Sequence, residues 1–250
     1  MAIRLGIDVG GTFTDFLLFD EGKETFHLHK TPSTPEDQSV GILDGIRSLL
    51  DQTKLSADDI QSMLHGTTVA TNIVLEAKGA QVGLLVTENF EQVLHLARSQ
   101  TPGPLAGWIT MDKPEPLADL ELTRGVPERI SAQGEVLQPL DESRAREMAD
   151  ELVRKGADSI TISLLHAYAN PIHELKLRDI IANIYPDLPI SLSSEILPEF
   201  REYERTLVTV MNAYVRPGMQ RYLDNFRQKL GNERLTSPLN IVRSDSGLMS

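Results

Sequence analysis

Cysteine is absent from the 250-residue chain. That excludes disulfides, thiol catalysis and zinc–thiolate centres. Positive charge is in deficit: 24 Lys and Arg stand against 36 Asp and Glu, a formal net charge of −12. Such a balance disfavours nucleic acid and anionic membranes as broad partners and leaves anions only a local basic pocket. No apolar run approaches the roughly 20 residues of a membrane span. The N-terminus enters a charged strand at once, so no signal peptide is read and a cytoplasmic location is expected. Tryptophan occurs once, as Trp108. It falls in a Pro- and Gly-rich stretch, 100–119, that reads as a long loop. No internal repeat or low-complexity tract stands out. What is there is an ordinary globular composition, 40% apolar and 24% charged, long enough for one large core or two smaller ones.

The chain opens MAIRLGIDVGGTFTDFLLFD. Ile3, Leu5, Ile7 and Val9 alternate with Arg4, Gly6, Asp8 and Gly10, the period of a half-buried strand. Asp8 therefore lies off the core face, with open space beside it at Gly6. Gly10-Gly11 lets the backbone turn sharply and expose N–H groups. Thr12 and Thr14 add hydroxyls, and Asp15 adds a second carboxylate. Residues 16–19, FLLF, read as an antiparallel return strand. A strand–turn–strand hairpin differs from the Rossmann and Walker loops, which lead into a helix. A carboxylate at a strand end, beside exposed N–H groups and hydroxyls, suits a phosphate chain with its Mg²⁺. That ion keeps most of its waters and needs only one or two carboxylates. A tight hairpin whose Asp satisfies turn N–H groups has the same pattern, and spacing alone leaves both readings standing.

Further on, strands and helices alternate. Residues 25–30 read as a third strand. Thr34-Pro35-Glu36-Asp37 reads as a helix start with Thr34 as N-cap, continued by Leu43, Ile46, Leu49 and Leu50. Ser56-Ala57-Asp58-Asp59 starts another short helix. The spacing predicts a buried strand over 81–87, a helix over 89–98 and a hairpin over 128–140. A helix over 141–155, a strand over 158–165 and a helix over 172–184 follow. A strand over 189–194 and a long helix over 199–215 complete the pattern. This order gives an α/β protein with a mixed sheet.

Residues 62–87, SMLHGTTVATNIVLEAKGAQVGLLVT, read strand–turn–helix–strand, with His65-Gly66-Thr67-Thr68 at the turn into the helix. Thr68, Thr71 and Asn72 share one helical face. Hydroxyls and an amide at a helix N-terminus can meet an anion or a substrate. Capping by threonine, worth about 1 kcal/mol, is the plainer account. It explains one threonine well, and His65 and Asn72 poorly.

Together, GIDVGGTFTD and HGTTVATN resemble the N-terminal part of the hydantoinase A/5-oxoprolinase family. The resemblance continues through SLLHAYANPIHE (163–174) and SLSSEILPEFREYERTLVTVMNAYVRP (191–217). It implies an α/β, ribonuclease H-like fold of the actin-like ATPase type, a mixed sheet flanked by helices, with nucleotide between two halves. It also implies a division into an N-terminal ribonuclease H-like domain with the first phosphate loop, 1–190, and the start of a second hydantoinase A domain, 191–250, truncated because relatives are longer. The implied activity is that of an ATP-dependent cyclic-amide hydrolase, in which ATP phosphorylates a carbonyl oxygen, with Mg²⁺ as the accompanying ion. By the same resemblance Asp8, Thr67 and Thr68 would be catalytic, and Asp8 would also hold the metal. Gly10, Gly11, Thr12, Thr14 and Asp15 would bind the cofactor, and His65 and Asn72 would meet substrate. Implied partners are a cyclic amide or related carbonyl compound and a hydantoinase B-type subunit or domain, with no nucleic acid and no membrane. Within the family, an acetone carboxylase-like subunit is the alternative. Outside it stand a non-catalytic nucleotide-binding module and a sugar-kinase-like phosphotransferase. Asp-x-Gly-Gly-Thr also opens one type of hexokinase, although many of those carry a cysteine zinc cluster that is impossible here.

Two departures from the family pattern bear on substrate. Asn89-Phe90-Glu91-Gln92 stands where relatives have a Gly-Phe-Arg-Asp-like segment, and Arg243-Ser244-Asp245-Ser246-Gly247 where they have Gln-Ser-Asn-Gly-Gly. His27 and His29 share a strand face; with no third ligand evident, an exposed polar face accounts for them better than a metal site. His166 and His173 fall in family-like blocks and read equally well as structural histidines. Glu195, Glu199, Glu202 and Glu204 around Arg201, Tyr203 and Arg205 have the spacing of a solvated helix face. Their place in a family block implies a domain-junction or substrate role instead.

Overall fold

The computed structural model describes residues 2–34, 37–98, 115–242 and 247–249. In chain order its elements begin with β1 (Ile3–Val9), β2 (Phe13–Asp20), β3 (Thr25–Pro32), α1 (Gln38–Thr53), β4 (Ile60–Thr67) and α2 (Val69–Leu75). Next come β5 (Val82–Thr87), α3 (Val93–Leu96), β6 (Thr123–Val126), β7 (Arg129–Ile130), β8 (Val136–Gln138) and α4 (Glu142–Arg154). The last are β9 (Ser159–Ser163), α5 (Ile172–Ile184), β10 (Ile190–Leu192), α6 (Ser193–Ile196), α7 (Glu202–Asn232), β11 (Leu239–Val242) and β12 (Leu248–Met249). They pack as two units. One is built from both ends of the chain, up to Ala77 and from Gly218 onward; the other is Lys78–Pro217. The division at 190/191 follows sequence blocks, whereas these units follow packing and interleave along the chain.

In the first unit six strands form one sheet in the order β12-β11-β4-β1-β2-β3. β1, β2 and β3 are antiparallel neighbours, while β4 runs parallel to β1 and β11 parallel to β4. This is the mixed, ribonuclease H-like sheet that the resemblance implied. The alternation in β1 works as expected: Ile3, Leu5, Ile7 and Val9 are buried and Asp8 is exposed. With Phe16 and Leu18 they pack against Ile42, Ile46 and Leu49 of α1 and Phe226 and Leu230 of α7. Gly45 lets α1 seat closely, because a Cβ there would come within 2.2 Å of the Phe16 ring. The other face of the sheet carries Gly6, Asp8, Asp15 and Leu17.

The second unit holds a four-stranded sheet in the order β10-β9-β5-β6, parallel throughout. Every residue of β5 and β9 is buried, as befits central parallel strands that have both faces covered. Leu85, Leu152, Ile160, Ile162, Leu177 and Ile181 form the middle of its core, shared with α4 and α5.

Several boundaries differ from the sequence reading. The N-cap of α1 is Asp37, whose side chain accepts from Ser39 N. Thr34 instead donates its hydroxyl to Asp37 O and accepts from Gly41 N–H; Pro35 and Glu36 lie outside the described residues. The helix expected over 89–98 is one turn, Val93–Leu96. The long helix expected to stop at 215 continues through Pro217 to Asn232. Ala57–Asp59 is a 3-10 turn. Trp108 and most of its expected loop lie outside the described residues, as do residues 243–246. Among the described residues no helix is long and apolar enough to cross a membrane.

Candidate functional site

The hairpin at the end of β1 is closed by Gly10 N donating to Phe13 O at 3.0 Å, so its tip is Gly11-Thr12, both exposed. Asp8 and Asp15 are cross-strand partners and lie on one face. Asp15 is ion-paired with Lys30 at 3.0 Å. Asp8 lies over Gly66 of the neighbouring β4, where a Cβ would come within 3.2 Å of Asp8 Oδ1. Gly6 and Gly66 deepen this face into a groove of about 710 Å³, with carboxylates at one end and Leu17, Leu28 and Leu64 beyond them. The turn does not use left-handed glycines, since among the described residues positive φ in glycine occurs at Gly134 and Gly156. At Gly10 the constraint is steric: an added Cβ would sit 3.0 Å from Phe13 O, whereas at Gly11 it would meet nothing within 4 Å.

Thr14 is buried and braces the hairpin from behind. Its Oγ1 lies 3.0 Å from Ser33 Oγ, which donates to Gly10 O at 2.7 Å, while Ser33 N donates to Thr12 O at 2.9 Å. The side chain reached by sequence as a cofactor contact thus serves the shape of the loop.

His65, Gly66 and Thr67 are the last residues of β4 rather than part of a turn, and Thr67 is in register with Val9. Thr68 is the N-cap residue of α2, exposed, with its hydroxyl donating to Val9 O at 3.3 Å. Thr67 Oγ1 accepts from Val69 N at 3.2 Å. Both threonines therefore come to the carboxyl ends of the parallel pair β1/β4, the kind of edge at which α/β sheets hold ligands. Asn72 stands one helical turn further along α2, half-buried. His65 points to the opposite face from Gly66. It is wholly buried, its Nε2 is 2.8 Å from Tyr222 Oη, and its ring packs on Phe226 at 5.1 Å between centroids. Burial lowers its pKa to about 4, so the ring is neutral. One sheet end thus gathers Asp8, Asp15, Gly66, the Gly11-Thr12 tip, Thr67 and Thr68; His65 and Thr14 stand behind it.

The remaining polar clusters are elsewhere. His27 is exposed and His29 half-buried, with Nδ1 3.3 Å from Gln52 Nε2. Among the described residues no group of three or more His, Asp or Glu is placed to hold a metal. His173 is buried with Nδ1 2.7 Å from the Glu128 carboxylate. His166 sits in a turn at φ 59°, its pKa lowered by burial and by Arg129 and Arg205. Arg205 corrects the solvated-face reading: it is 1% exposed and donates to Ser193 Oγ, Glu199 O and Leu164 O at 2.8–3.1 Å. The first turn of α7 faces the ends of β9 and β10 there, so its one inward position needs a donor for strand-end acceptors. Glu195, Glu199 and Glu202 are exposed. The sequence reading missed Ser33 and Tyr222. The stripe Tyr222, Phe226, Leu230 has helical spacing, but it lies beyond Pro217, where a helix is expected to end.

A family model described as hydantoinase/oxoprolinase N-terminal region matches residues 4–185. An uncharacterized protein of Methanocaldococcus jannaschii is 37% identical over 99% of this chain and 36% of its own length. The acetophenone carboxylase gamma subunit of Aromatoleum aromaticum is 36% identical over 86% of this chain and 31% of its own. The crystal structure of the ATP-dependent caprolactamase from Pseudomonas jessenii superposes with a TM-score of 0.88 at 32% identity, covering 98% of this chain and 36% of that one. The chain spans about a third of the length of these relatives.

Proposed function

The chain belongs to the hydantoinase/oxoprolinase N-terminal family, and from that premise we propose that it is the nucleotide-handling N-terminal part of an ATP-dependent enzyme that activates a cyclic amide for hydrolysis. One observation carries this reading: exposed Asp8, lying over Gly66, adjoins the exposed Gly11-Thr12 tip at the sheet end where Thr67 and Thr68 also converge. The N–H groups and hydroxyl of the tip suit phosphate oxygens. With no three-ligand cluster among the described residues and Asp15 already partnered by Lys30, the carboxylates fit an ion such as Mg²⁺, which needs one or two and keeps its waters. When bound, Mg²⁺ supplies charge neutralisation for phosphoryl transfer. In this reading Asp8 is the ligand and orienting charge, Gly66 keeps its space clear, and the hydroxyls of Thr12 and Thr67 donate to anionic oxygens, while Thr68, whose proton is held by Val9 O, ties the start of α2 to β1. The Ser33–Thr14 brace holds the tip before anything binds, so little reorganisation is left for the reaction. Asn72 is the side chain of this region turned toward substrate.

The intact enzyme would work with a hydantoinase B-type subunit or domain, in the cytoplasm, where a cysteine-free ATP-dependent enzyme is at home. The 36% identity with an acetophenone carboxylase subunit favours a second reading, an ATP-using carboxylase subunit. The test is ATP consumption by the full-length protein with its partner, supplied with hydantoin, 5-oxoproline, caprolactam, or acetone plus bicarbonate. Ring-opened product coupled to ATP use is the expected result. Consumption only with ketone and bicarbonate selects the carboxylase. A sugar phosphate product, or no ATP use with any substrate, overturns both.

A further inference from the structure

We propose that the second unit carries a ligand site of its own, a cleft outside the carboxyl ends of β5 and β9 that takes a small uncharged amide such as a lactam. The site stands apart from the phosphate reading of the first unit. Topology singles the place out. In the order β10-β9-β5-β6 the chain leaves β5 for β6 on one side, whereas β9, on the other side of β5, leads on to β10. The loops after these two neighbours therefore part, and an open parallel sheet holds ligands in the crevice at such a switch point. Polar ties close the crevice beneath: Leu165 N donates to Thr87 Oγ1 at 2.8 Å, and Ser163 Oγ lies 2.7 Å from Thr206 Oγ1. Phe90, Val93 and Glu202 border both this tied region and an adjoining cleft of about 300 Å³, which Asn89, Gln92 and Tyr203 also line. That volume is at the small end of the range for ligand pockets.

The lining decides what fits. Asn89 and Gln92 belong to the stretch in which the chain departs from the family pattern. Glu91 between them is turned under the loop: it accepts from Asn89 N at 3.2 Å and fills the space over Gly125, where a Cβ would strike it. Asn89 and Ala97 hold left-handed backbone, at φ 73° and 50°. Alanine rarely takes that conformation, and such strain gathers at ligand sites. Among the described residues neither the Asn89 nor the Gln92 side-chain amide has a hydrogen-bond partner. Each offers an N–H donor and a carbonyl acceptor, the complement of an amide, whose N–H and C=O need one of each. Phe90, Val93 and Leu96 take the carbon skeleton. Charge sets the remaining condition. Glu202 is exposed in the lining, and among the described residues no Lys or Arg joins it there. Arg205 is 1% exposed and its guanidinium is committed to Ser193, Glu199 and Leu164. Arg129 stacks on Phe90, 5.3 Å from the ring centroid, and stays outside the lining. A carboxylate on the ligand would meet Glu202 without a counter-ion, so the site selects an uncharged ring.

Ligand-observed saturation-transfer NMR titrations on the full-length protein, without nucleotide, test the site. The probes are 2-pyrrolidinone, 5-oxoproline (the same ring bearing a carboxylate) and cyclopentanone (the same ring with CH₂ for the amide N–H). 2-Pyrrolidinone is expected to bind, and the other two about tenfold more weakly. Asn89→Gly keeps the left-handed backbone without strain. Combined with Gln92→Ala it should weaken 2-pyrrolidinone about tenfold while the melting temperature stays nearly unchanged. Glu202→Gln, at an exposed position, should bring 5-oxoproline to within about threefold of 2-pyrrolidinone. Three results would each overturn the proposal: no saturation transfer to 2-pyrrolidinone, 5-oxoproline bound as tightly by the parent protein, or parent-like affinity in the double variant. The reaction's substrate and a separate effector share this chemistry, and kinetics of the double variant tell them apart. A KM for a lactam that rises with its Kd marks the substrate; an unchanged KM with lost response of the rate to added 2-pyrrolidinone marks the effector.

Discussion

Asp8 and Gly11 divide ligand chemistry from hairpin mechanics. Asp8 is exposed and off the core face, so Asp8→Asn should leave the melting temperature nearly unchanged. If its charge serves phosphoryl transfer, ATP turnover falls by about 10²-fold or more. Gly11 has free space around it and no left-handed φ; Gly11→Ala should therefore fold normally and raise the KM for ATP, since the only thing a methyl could meet there is a ligand. A lowered melting temperature in Gly11→Ala would return the loop to a purely mechanical role. His65 carries a pH prediction. Its ordinary pKa of 6.5 drops to about 4 in the fold through burial, so between those values the unfolded chain binds a proton that the folded one does not. Stability is complete above about pH 6.5 and declines as pH falls toward 4, by up to about 3 kcal/mol. Urea titrations at pH 7 and 4.5 should show this slope in the parent protein and its loss in His65→Gln; equal slopes would remove His65 from the account.

Arg205 shows what an element needs at its start. Three acceptors, on Ser193, Glu199 and Leu164, converge on one guanidinium, and Ser193 also donates to buried Glu174 at 2.6 Å. Arg205→Ala would strand these groups and is expected to cost about 3–5 kcal/mol; Arg205→Lys should recover only part, because an ammonium lacks the planar fork. Thermal melts of both variants check the order. This network was not legible in the sequence, where Glu and Arg at i, i+3 spacing look alike whether a helix start is wet or buried. What was legible had a strong period or a clean stop: the alternation of Ile3 to Val9, the helix over 172–184, the hairpin over 128–140. Pro217 hid the second half of α7, since a proline normally ends a helix and here lies inside one. At the site, the carboxylate and the Gly-Gly turn could be read, whereas the inward direction of His65 and Thr14 depends on strand register, which local pattern leaves open.

At the level of the molecule, the two units differ in how the chain supplies them. Lys78–Pro217 is continuous and has a core of its own. An excised 78–217 segment should fold alone, with cooperative melting and dispersed NMR amide signals; a broad, non-cooperative melt would show that its core depends on the flanking chain. The first unit has no such continuous piece, because β11 and the second half of α7 come from the far end of the sequence. Its proposed site lies on β1, the hairpin, β4 and α2, the part of the unit made first.

The pairing of β4 with β11 has a consequence in time. On the ribosome β4 finds β1 almost at once, but its other edge waits for residues 239–242. At about 5–20 residues per second the interval is on the order of 10–35 s. Throughout it a nascent chain carries a bare row of N–H and C=O groups beside its future phosphate site, an edge open to pairing with a neighbouring polypeptide. Yield in a crowded cell would then be governed by how well chaperones shield that edge until the last strand emerges.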